Sequence, residues 1–205
     1  MPSLTNQVAL VTGAARGTGR AIALALGQAA ARVVVVDVNP DGAQQTADAI
    51  TQAGGAATAQ IVDVSNKMAV QTMLYAVIEQ WGRIDIVVNA AHVAPGNAAL
   101  KMDEWEWNRT LDVNLKGAFL ISQTAARAMR ALSEAEGKET SGGLIINVLR
   151  PAGATPHAGV RAARAGLAGL TVALDAEWSG FGVRVATVEG GAEAVVRRCF
   201  DKTPL

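Results

Sequence analysis

Three glycines, Gly13, Gly17 and Gly19, are the clearest candidates for binding chemistry in this chain. They lie in the segment Thr12–Gly19, which reads TGAARGTG and separates an apolar run from a helix-like stretch. Glycine lets a backbone approach a ligand closely, and the free N–H groups at the start of a helix attract phosphate. The segment therefore predicts a turn that binds the pyrophosphate of a dinucleotide. The alternative is a tight turn without a ligand.

A carboxylate follows these glycines at the end of the second apolar run. Asp37 has the position from which an acidic residue binds the adenosine ribose hydroxyls in dinucleotide-binding proteins. The same charge would repel a 2′-phosphate, so NAD is expected rather than NADP. Arg16 lies beside the turn and leaves two alternatives open: it meets an extra phosphate, or it is an exposed, solvated arginine.

Proton transfer near neutral pH can come from His92 and His157, the two histidines of the chain. Both follow predicted strands, so we expect them at the carboxyl edge of the sheet, where ligands bind in such folds. Each is either a substitute acid or base or a residue of a solvated loop. Arg150, Arg161 and Arg164 form an anion site nearby, or they pair with local carboxylates.

The elements that must position these residues follow an alternating pattern. Short β-branched runs alternate with longer helix-like stretches, which is typical of βαβ units and a parallel sheet. The predicted strands are 7–11, 32–36, 58–62, 84–89, 144–148 and 183–188. The predicted helices are 17–30, 40–53, 66–81, 103–132 and 159–178. We expect one α/β domain over residues 1–205, a doubly wound Rossmann fold with about six mostly parallel strands in the order 3-2-1-4-5-6 and helices on both faces.

Composition argues against several classes of protein. The 205 residues are 50% hydrophobic, with 18 basic and 18 acidic side chains. Balanced charge without a basic run argues against a nucleic acid or an anionic membrane as partner. The single cysteine, Cys199, excludes an internal disulfide, and the first residues lack a signal region. We predict a cytoplasmic protein with no membrane span and no metal site.

Further segments resemble the short-chain dehydrogenase/reductase family. Asp63-Val64 is similar to the family's segment that touches the adenine amino group, and Asn89-Ala90 to its Asn-Asn-Ala-Gly segment after the fourth strand. Residues 113–117 match the helix segment that carries an active-site asparagine, here Asn114, and residues 164–170 match the signature helix. The resemblance implies a dinucleotide partner. The cofactor-binding residues expected are Gly13, Arg16, Gly17, Thr18, Gly19, Asp37, Asp63, Val64, Asn89, Ala90 and Arg164.

The resemblance fails where the family has its proton relay. Alignment places Arg150 on the family's serine, Val160 on its tyrosine and Arg164 on its lysine. Valine cannot move a proton, and the single tyrosine, Tyr75, belongs to a predicted helix remote from the cleft. Asn114 either keeps a catalytic role or binds a backbone carbonyl and shapes its helix. Arg164 either reaches the nicotinamide ribose or forms an ion pair.

Three hypotheses about function follow. The first is an NAD(H)-binding, short-chain-dehydrogenase-like protein with impaired catalysis, a non-catalytic or regulatory subunit, because general acid–base catalysis contributes roughly 10²–10⁴-fold. The second is an NAD-dependent oxidoreductase of a small alcohol or carbonyl compound, with Asn114 and His157 or His92 in an atypical relay. The third is a scaffold that binds no nucleotide. The family continues past the sixth strand through a substrate-covering lid, and we expect residues 192–205 to supply little of it.

Subunit association is the last expectation. The predicted helix 159–178 has apolar residues around much of its circumference, more than one core-facing stripe requires. The resemblance implies a two-fold interface that this helix and helix 103–132 of each subunit form. We expect a homodimer, with a tetramer as the alternative.

Overall fold

A computed structural model of the protein describes residues 3–140, 142–150 and 157–201. Its strands are β1 (Val8–Thr12), β2 (Arg32–Asp37), β3 (Ala56–Ile61), β4 (Ile86–Asn89), β5 (Leu144–Leu149) and β6 (Arg184–Glu189). Its α-helices are α1 (Gly17–Gln28), α2 (Pro40–Gln52), α3 (Lys67–Trp81), α4 (Glu104–Leu111), α5 (Ala118–Ala135), α6 (Ala158–Trp178) and α7 (Ala192–Phe200). A π-helical segment (Asp112–Gly117) joins α4 to α5, and a 3-10 turn (Ser179–Phe181) follows α6.

The six strands form one parallel sheet in the order β3-β2-β1-β4-β5-β6. This confirms the doubly wound architecture and the strand order that the sequence predicts. The chain reverses its direction of winding between β1 and β4, where Leu10 pairs with Val34 on one side and with Val87 on the other. A reversal of this kind leaves a crevice at the carboxyl ends of the strands.

Two apolar layers cover the sheet, one on each face. On one face, strand residues such as Val34 and Ile145 pack with α3, α5 and α6. On the other face, Val33 and Ile146 pack with α1, α2 and α7. Successive side chains of a strand point to opposite faces, so continuous apolar strands serve both layers.

The single helix predicted over residues 103–132 is divided in the structure. A capping box starts α4, in which Asp103 accepts from the backbone N–H of Glu106 and Glu106 accepts from that of Asp103. The π-helical segment follows, and α5 then continues to Ala135. An added Cβ on Gly117 would lie 2.6 Å from Cγ2 of Val64, so this segment packs closely against the chain after β3. Hydrophobic periodicity does not distinguish α-helical from π-helical hydrogen bonding.

Other predicted bounds move by one or two residues. Helix α1 ends at Gln28 rather than at residue 30, because Ala30 turns the chain into the left-handed region with φ 68°. Strand β3 begins at Ala56 rather than at 58, because its pairing with β2 starts there. Helix α7 has no counterpart among the predicted elements, and its Val195 is fully buried. None of the described helices is long and apolar enough to cross a membrane.

Candidate functional site

A cleft opens at the carboxyl edge of the sheet beside the reversal between β1 and β4. It encloses about 1020 Å³, part of which is open to solvent. The ends of β1, β4 and β5, the π-helical segment and the start of α6 form its walls. The structure brings together these residues that the sequence singles out: Thr18, Val64, Asn89, Ala90, His92, Asn114, Arg150, Val160, Arg161 and Arg164.

The turn between β1 and α1 has the close backbone approaches that its glycines predict. Gly13 has φ 67°, and an added Cβ would lie 2.6 Å from Cα of Ala91. An added Cβ on Gly19 would overlap the carbonyl oxygen of Gly13. Gly17 has φ 58° with open space around it, and α1 begins there without a side-chain cap. First-turn N–H groups are therefore available to a phosphate, so the turn fits a pyrophosphate.

Asp37 lies beside this turn at the end of β2. One carboxylate oxygen accepts a hydrogen bond from the N–H of Ala15 at 2.9 Å, and the other accepts from that of Asn39 at 3.1 Å. The carboxylate therefore holds the turn in place and still has lone pairs for a ligand hydroxyl. Arg16, the residue before α1, is exposed on the same turn.

Asp63 makes its polar contacts within the protein. Its carboxylate accepts hydrogen bonds from the N–H and hydroxyl of Ser65 at 2.9 and 2.7 Å, and from Nη1 of Arg109 at 2.9 Å. Burial acts to raise the pKa of Asp63, but the hydrogen bonds from Ser65 and Arg109 outweigh it, so the pKa lies below its usual value. Its neighbour Val64 lines the cleft. Arg109, which lies in α4 and forms the ion pair with Asp63, is not among the predicted site residues.

A buried polar network runs under the cleft. The side-chain N–H groups of Asn89 donate to Oδ1 of Asn147 at 2.8 Å and to the hydroxyl of Ser122 at 3.0 Å. Asn147 in turn donates to the hydroxyl of Thr171 at 2.9 Å. Oδ1 of Asn89 is buried and has no partner within the described part of the chain. An unsatisfied buried acceptor costs about 1–3 kcal/mol, so this atom fits a ligand that brings a hydrogen-bond donor into the cleft.

Thr12 lines the cleft but is absent from the predicted site. Its hydroxyl oxygen accepts hydrogen bonds from the N–H groups of Ala90 and Ala91, each at 3.1 Å. The hydroxyl thereby holds the segment after β4 against β1. The sequence signal for this role is a buried polar residue that ends an apolar strand, directly before the first glycine of the turn.

Asn114 lies in the π-helical segment and is buried. Its Oδ1 accepts from the N–H of Val93 at 2.8 Å, and its Nδ2 donates to the carbonyl of Val93 at 2.8 Å. The side-chain amide therefore binds backbone, which is one of the two roles that the sequence leaves open. The backbone belongs to the segment after β4 and not to the helix of Asn114 itself.

The three residues that the sequence aligns with the family's proton relay, Arg150, Val160 and Arg164, all line the cleft. Val160 lies in the first turn of α6 and is 7% exposed. Arg150 follows β5, and its carbonyl accepts from Nε of Arg164 at 2.9 Å. Arg164 also forms an ion pair with Glu189 at the end of β6. The structure thus contains the ion pair that is one of the two alternatives for Arg164, and the sequence signal for it is the acidic residue that ends the sixth strand.

The two histidines have different surroundings. His92 lines the cleft, and burial together with the charge of Arg150 lowers its pKa to about 4. His92 is therefore neutral near pH 7 and can accept a proton there. His157 precedes α6, and its Nδ1 lies 3.1 Å from the carbonyl oxygen of Asn97. It is not among the residues that line the cleft.

Comparison with known proteins agrees with the glycine turn and the sheet. The sequence profile of the family described as short chain dehydrogenase matches residues 7–196. The chain belongs to the short-chain dehydrogenase family. Members of this family are NAD(P)-binding oxidoreductases with the α/β sheet described above.

Individual short-chain dehydrogenases are similar over most of this chain. A D-threitol dehydrogenase of Mycolicibacterium smegmatis is 38% identical over 188 residues, which are 90% of this chain and 69% of the relative. The 3-oxoacyl-(acyl-carrier-protein) reductase FabG of Escherichia coli is 31% identical over 186 residues, 91% of this chain and 73% of the relative. The crystal structure of a metagenomic short-chain oxidoreductase in complex with NADP superposes with a TM-score of 0.87 at 32% identity, covering 98% of this chain and 95% of that one. These three relatives bear the names of oxidoreductases.

Proposed function

We propose that this short-chain dehydrogenase binds NAD(H) in the cleft, lacks the proton relay of its family and serves as a non-catalytic or regulatory subunit. The observation that carries the proposal is Val160, which lines the cleft where the family has its tyrosine. A valine side chain neither donates nor accepts a proton. Arg150 and Arg164 supply positive charge at the other two positions, but arginine stays protonated in proteins and is a poor acid or base.

Residues along the cleft support the dinucleotide part of the proposal. The backbone of Gly13, Gly17 and Gly19 would hold the pyrophosphate at the start of α1, and Asp37 would accept from the adenosine ribose. The unpartnered Oδ1 of Asn89 would accept from a donor on the nicotinamide half. When bound, the dinucleotide supplies a hydride donor or acceptor. With the altered residues, no acid or base at the family's relay positions would transfer the proton that accompanies the hydride.

Turnover tests the proposal. We expect saturable NADH binding, followed by transfer of tryptophan excitation to the nicotinamide, together with no change in reduced nicotinamide above the buffer rate. The substrates to test are D-threitol with NAD and a 3-oxoacyl thioester with NADH, because relatives bear the names of enzymes for these compounds. Turnover that is proportional to protein concentration would overturn the loss of catalysis. Absence of NADH binding would overturn the whole proposal and would favour the hypothesis of a scaffold that binds no nucleotide.

NAD is proposed over NADP because the Asp37 carboxylate would face the 2′-phosphate. We expect NADH to bind roughly tenfold more tightly than NADPH, which corresponds to about 1.4 kcal/mol. Asp37→Asn removes the charge but keeps an acceptor for the N–H of Ala15, so it should bring the two affinities together. Arg16→Gln tests the alternative that Arg16 binds the 2′-phosphate of NADP. It should leave the preference for NADH over NADPH unchanged. Tighter binding of NADPH that Arg16→Gln abolishes would reverse the assignment.

A second candidate is a working oxidoreductase, which His92 favours because it lines the cleft and is neutral near pH 7. A neutral imidazole can take the proton of an alcohol during oxidation. If turnover is found, His92→Ala should lower kcat by roughly 100-fold. His157→Ala is the control, and a loss of turnover in that variant alone would assign the proton to His157 as the sequence predicts.

We also propose a homodimer, with a two-fold interface built from α4, α5 and α6 of each subunit. A shallow apolar groove between the π-helical segment and α6 supports this arrangement, with Leu111, Leu115, Phe119 and Leu170 among the residues that line it. Val172, on the outer face of α6, is 72% exposed in the single chain. Exposed apolar side chains and an apolar groove on the same helix suit a protein contact.

A further inference from the structure

Positive charge is concentrated on the α6 side of the cleft. Arg150, Arg161 and Arg164 line it, and no aspartate or glutamate is among the described residues that do. Leu149 and Leu167 are nearly buried beside these arginines. Arg150 itself is exposed, so its charge is accessible to a ligand that enters the cleft. The charges at this end of the cleft therefore favour an anion.

Arg164 has a positioning role in this cluster. Its Nε donates to the carbonyl of Arg150 at 2.9 Å, and its guanidinium pairs with Glu189. Glu189 thus offsets the charge of Arg164, while the hydrogen bond holds the backbone of Arg150 at the end of β5. The guanidinium of Arg164 therefore stabilises the position of the Arg150 backbone.

Arg150 carries the charge that remains to be matched. Its side chain makes no hydrogen bond or ion pair within residues 3–140, 142–150 and 157–201. It lies near enough to His92 for its charge to help lower the pKa of that imidazole. An arginine that lines a partly apolar cleft without a carboxylate partner is suited to a ligand that brings the negative charge.

We propose that Arg150 binds the oxyanion group of a small ligand at the place where the family has its proton relay, with Arg164 holding the backbone of Arg150 and Arg161 lining the same cleft. The group is a carboxylate or a phosphate, because both match the planar guanidinium through paired hydrogen bonds. The inference deepens the proposed function by naming a ligand class for the same cleft. It rests on the proposed function only in taking the cleft as a ligand site, and it does not require a bound dinucleotide.

The test uses the full chain without dinucleotide, near neutral pH and at constant ionic strength. Malonate and inorganic phosphate are titrated separately, and malonamide serves as the uncharged control of the same skeleton. The readout is the imidazole NMR signal of His92 in the His157→Ala background, which leaves one histidine in the chain. His157 makes no side-chain cap to α6, so we expect this substitution to remove only the contact of Nδ1 with the carbonyl of Asn97 and to keep the start of the helix in place.

We expect a saturable shift of the His92 signal with at least one of the two anions and none with malonamide. Arg150→Gln should weaken the apparent affinity roughly tenfold or more, as loss of a charged hydrogen-bond partner does. Arg127→Gln is the matched control, because it removes the same charge from an exposed position on α5 outside the cleft lining. Arg150→Lys keeps the charge but loses the paired geometry, and it should bind more weakly than the unaltered protein.

Each outcome decides the question. Saturation by malonate alone assigns a carboxylate, by phosphate alone a phosphate, and by both a general oxyanion site. A linear response, an equal response to malonamide, or equal losses in the Arg150 and Arg127 variants would overturn the proposal. If Arg150→Gln fails to fold, Arg150→Lys carries the comparison with Arg127→Gln. Malonate binding without NADH binding would overturn the proposed function alone, and the reverse result would overturn this inference alone.

Discussion

Among the residues of the cleft, His92 is the one whose pKa depends on a neighbouring charge, that of Arg150. Desolvation disfavours the protonated imidazole, and the guanidinium charge disfavours it further. The lowered pKa keeps His92 neutral over a wide pH range and makes it a weaker base than an ordinary histidine. Val160, which lines the same cleft, adds no titrating group, so His92 is the one titratable side chain besides the arginines among the described residues that line it.

A titration of His92 tests the effects of burial and of Arg150 on its pKa. Its NMR midpoint should lie near pH 4, well below the ordinary value of 6.5. Arg150→Gln should raise the midpoint because it removes a repelling charge, while Arg127→Gln should not move it. A midpoint near 6.5 in the unaltered protein would show that the imidazole is neither buried nor near the guanidinium.

The same shift affects stability. The folded pKa is lower than that of the unfolded chain, so between about pH 4 and 6.5 the unfolded state binds more protons. The contribution of neutral His92 is therefore fully present above pH 6.5 and declines as the pH falls towards 4. The urea midpoint of His92→Ala should fall less over this range than that of the unaltered protein.

At the scale of elements, β1, the glycine turn and α1 act as one unit. The turn has no room for a side chain at Gly13 or Gly19, because each packs against backbone. Backbone cannot move aside as a flexible side chain can, so the unit keeps its shape only with glycine at both positions. Gly17 differs, since open space surrounds its would-be Cβ and only its φ of 58° requires glycine.

A pair of substitutions separates these two requirements. Gly17→Ala should destabilise the fold by about 1–2 kcal/mol, the cost of the left-handed conformation for a residue with a Cβ. Gly19→Ala should destabilise it more, because the helix must shift away from the carbonyl of Gly13. Urea denaturation measures both values. Equal losses would mean that the turn relaxes around an added Cβ.

At the scale of the whole molecule, the exposed apolar surface of α6 bears on assembly. Val172 on α6 is 72% exposed in the single chain. The groove lined by Leu115 and Leu170 lies between the π-helical segment and α6. Sedimentation should show a dimer that Val172→Glu converts to a monomer, because each subunit would then bury an unpaired carboxylate in the interface. Met68→Glu is the control, since Met68 is similarly exposed, at 68%, on α3 outside the proposed interface. Dissociation by both variants, or by neither, would contradict the interface.

Residue types and their order along the chain are enough to predict the fold of this protein and the sheet edge at which its candidate site lies. Apolar strands such as Val33–Val36 predict a doubly covered parallel sheet because burial on both faces leaves no polar alternation. The glycine turn and Asp37 are predictable because the backbone conformation of the turn depends mainly on residues close to it in the sequence. The alignment that predicts Arg150 and Val160 at the relay positions likewise needs only the sequence.

The tertiary structure alone decided which groups meet in the cleft. The ion pair of Arg164 with Glu189 and the hydrogen bonds of Asn114 to Val93 join residues that lie far apart in the chain. The preference for His92 over His157 as a cleft residue and the lowered pKa of His92 depend on burial and on a charge from another strand end. The π-helical segment packs closely against Val64, and hydrophobic periodicity encodes neither this contact nor the π-helical hydrogen bonding. Such features depend on distances through space, and these distances exist only once the sheet has brought the strand ends together.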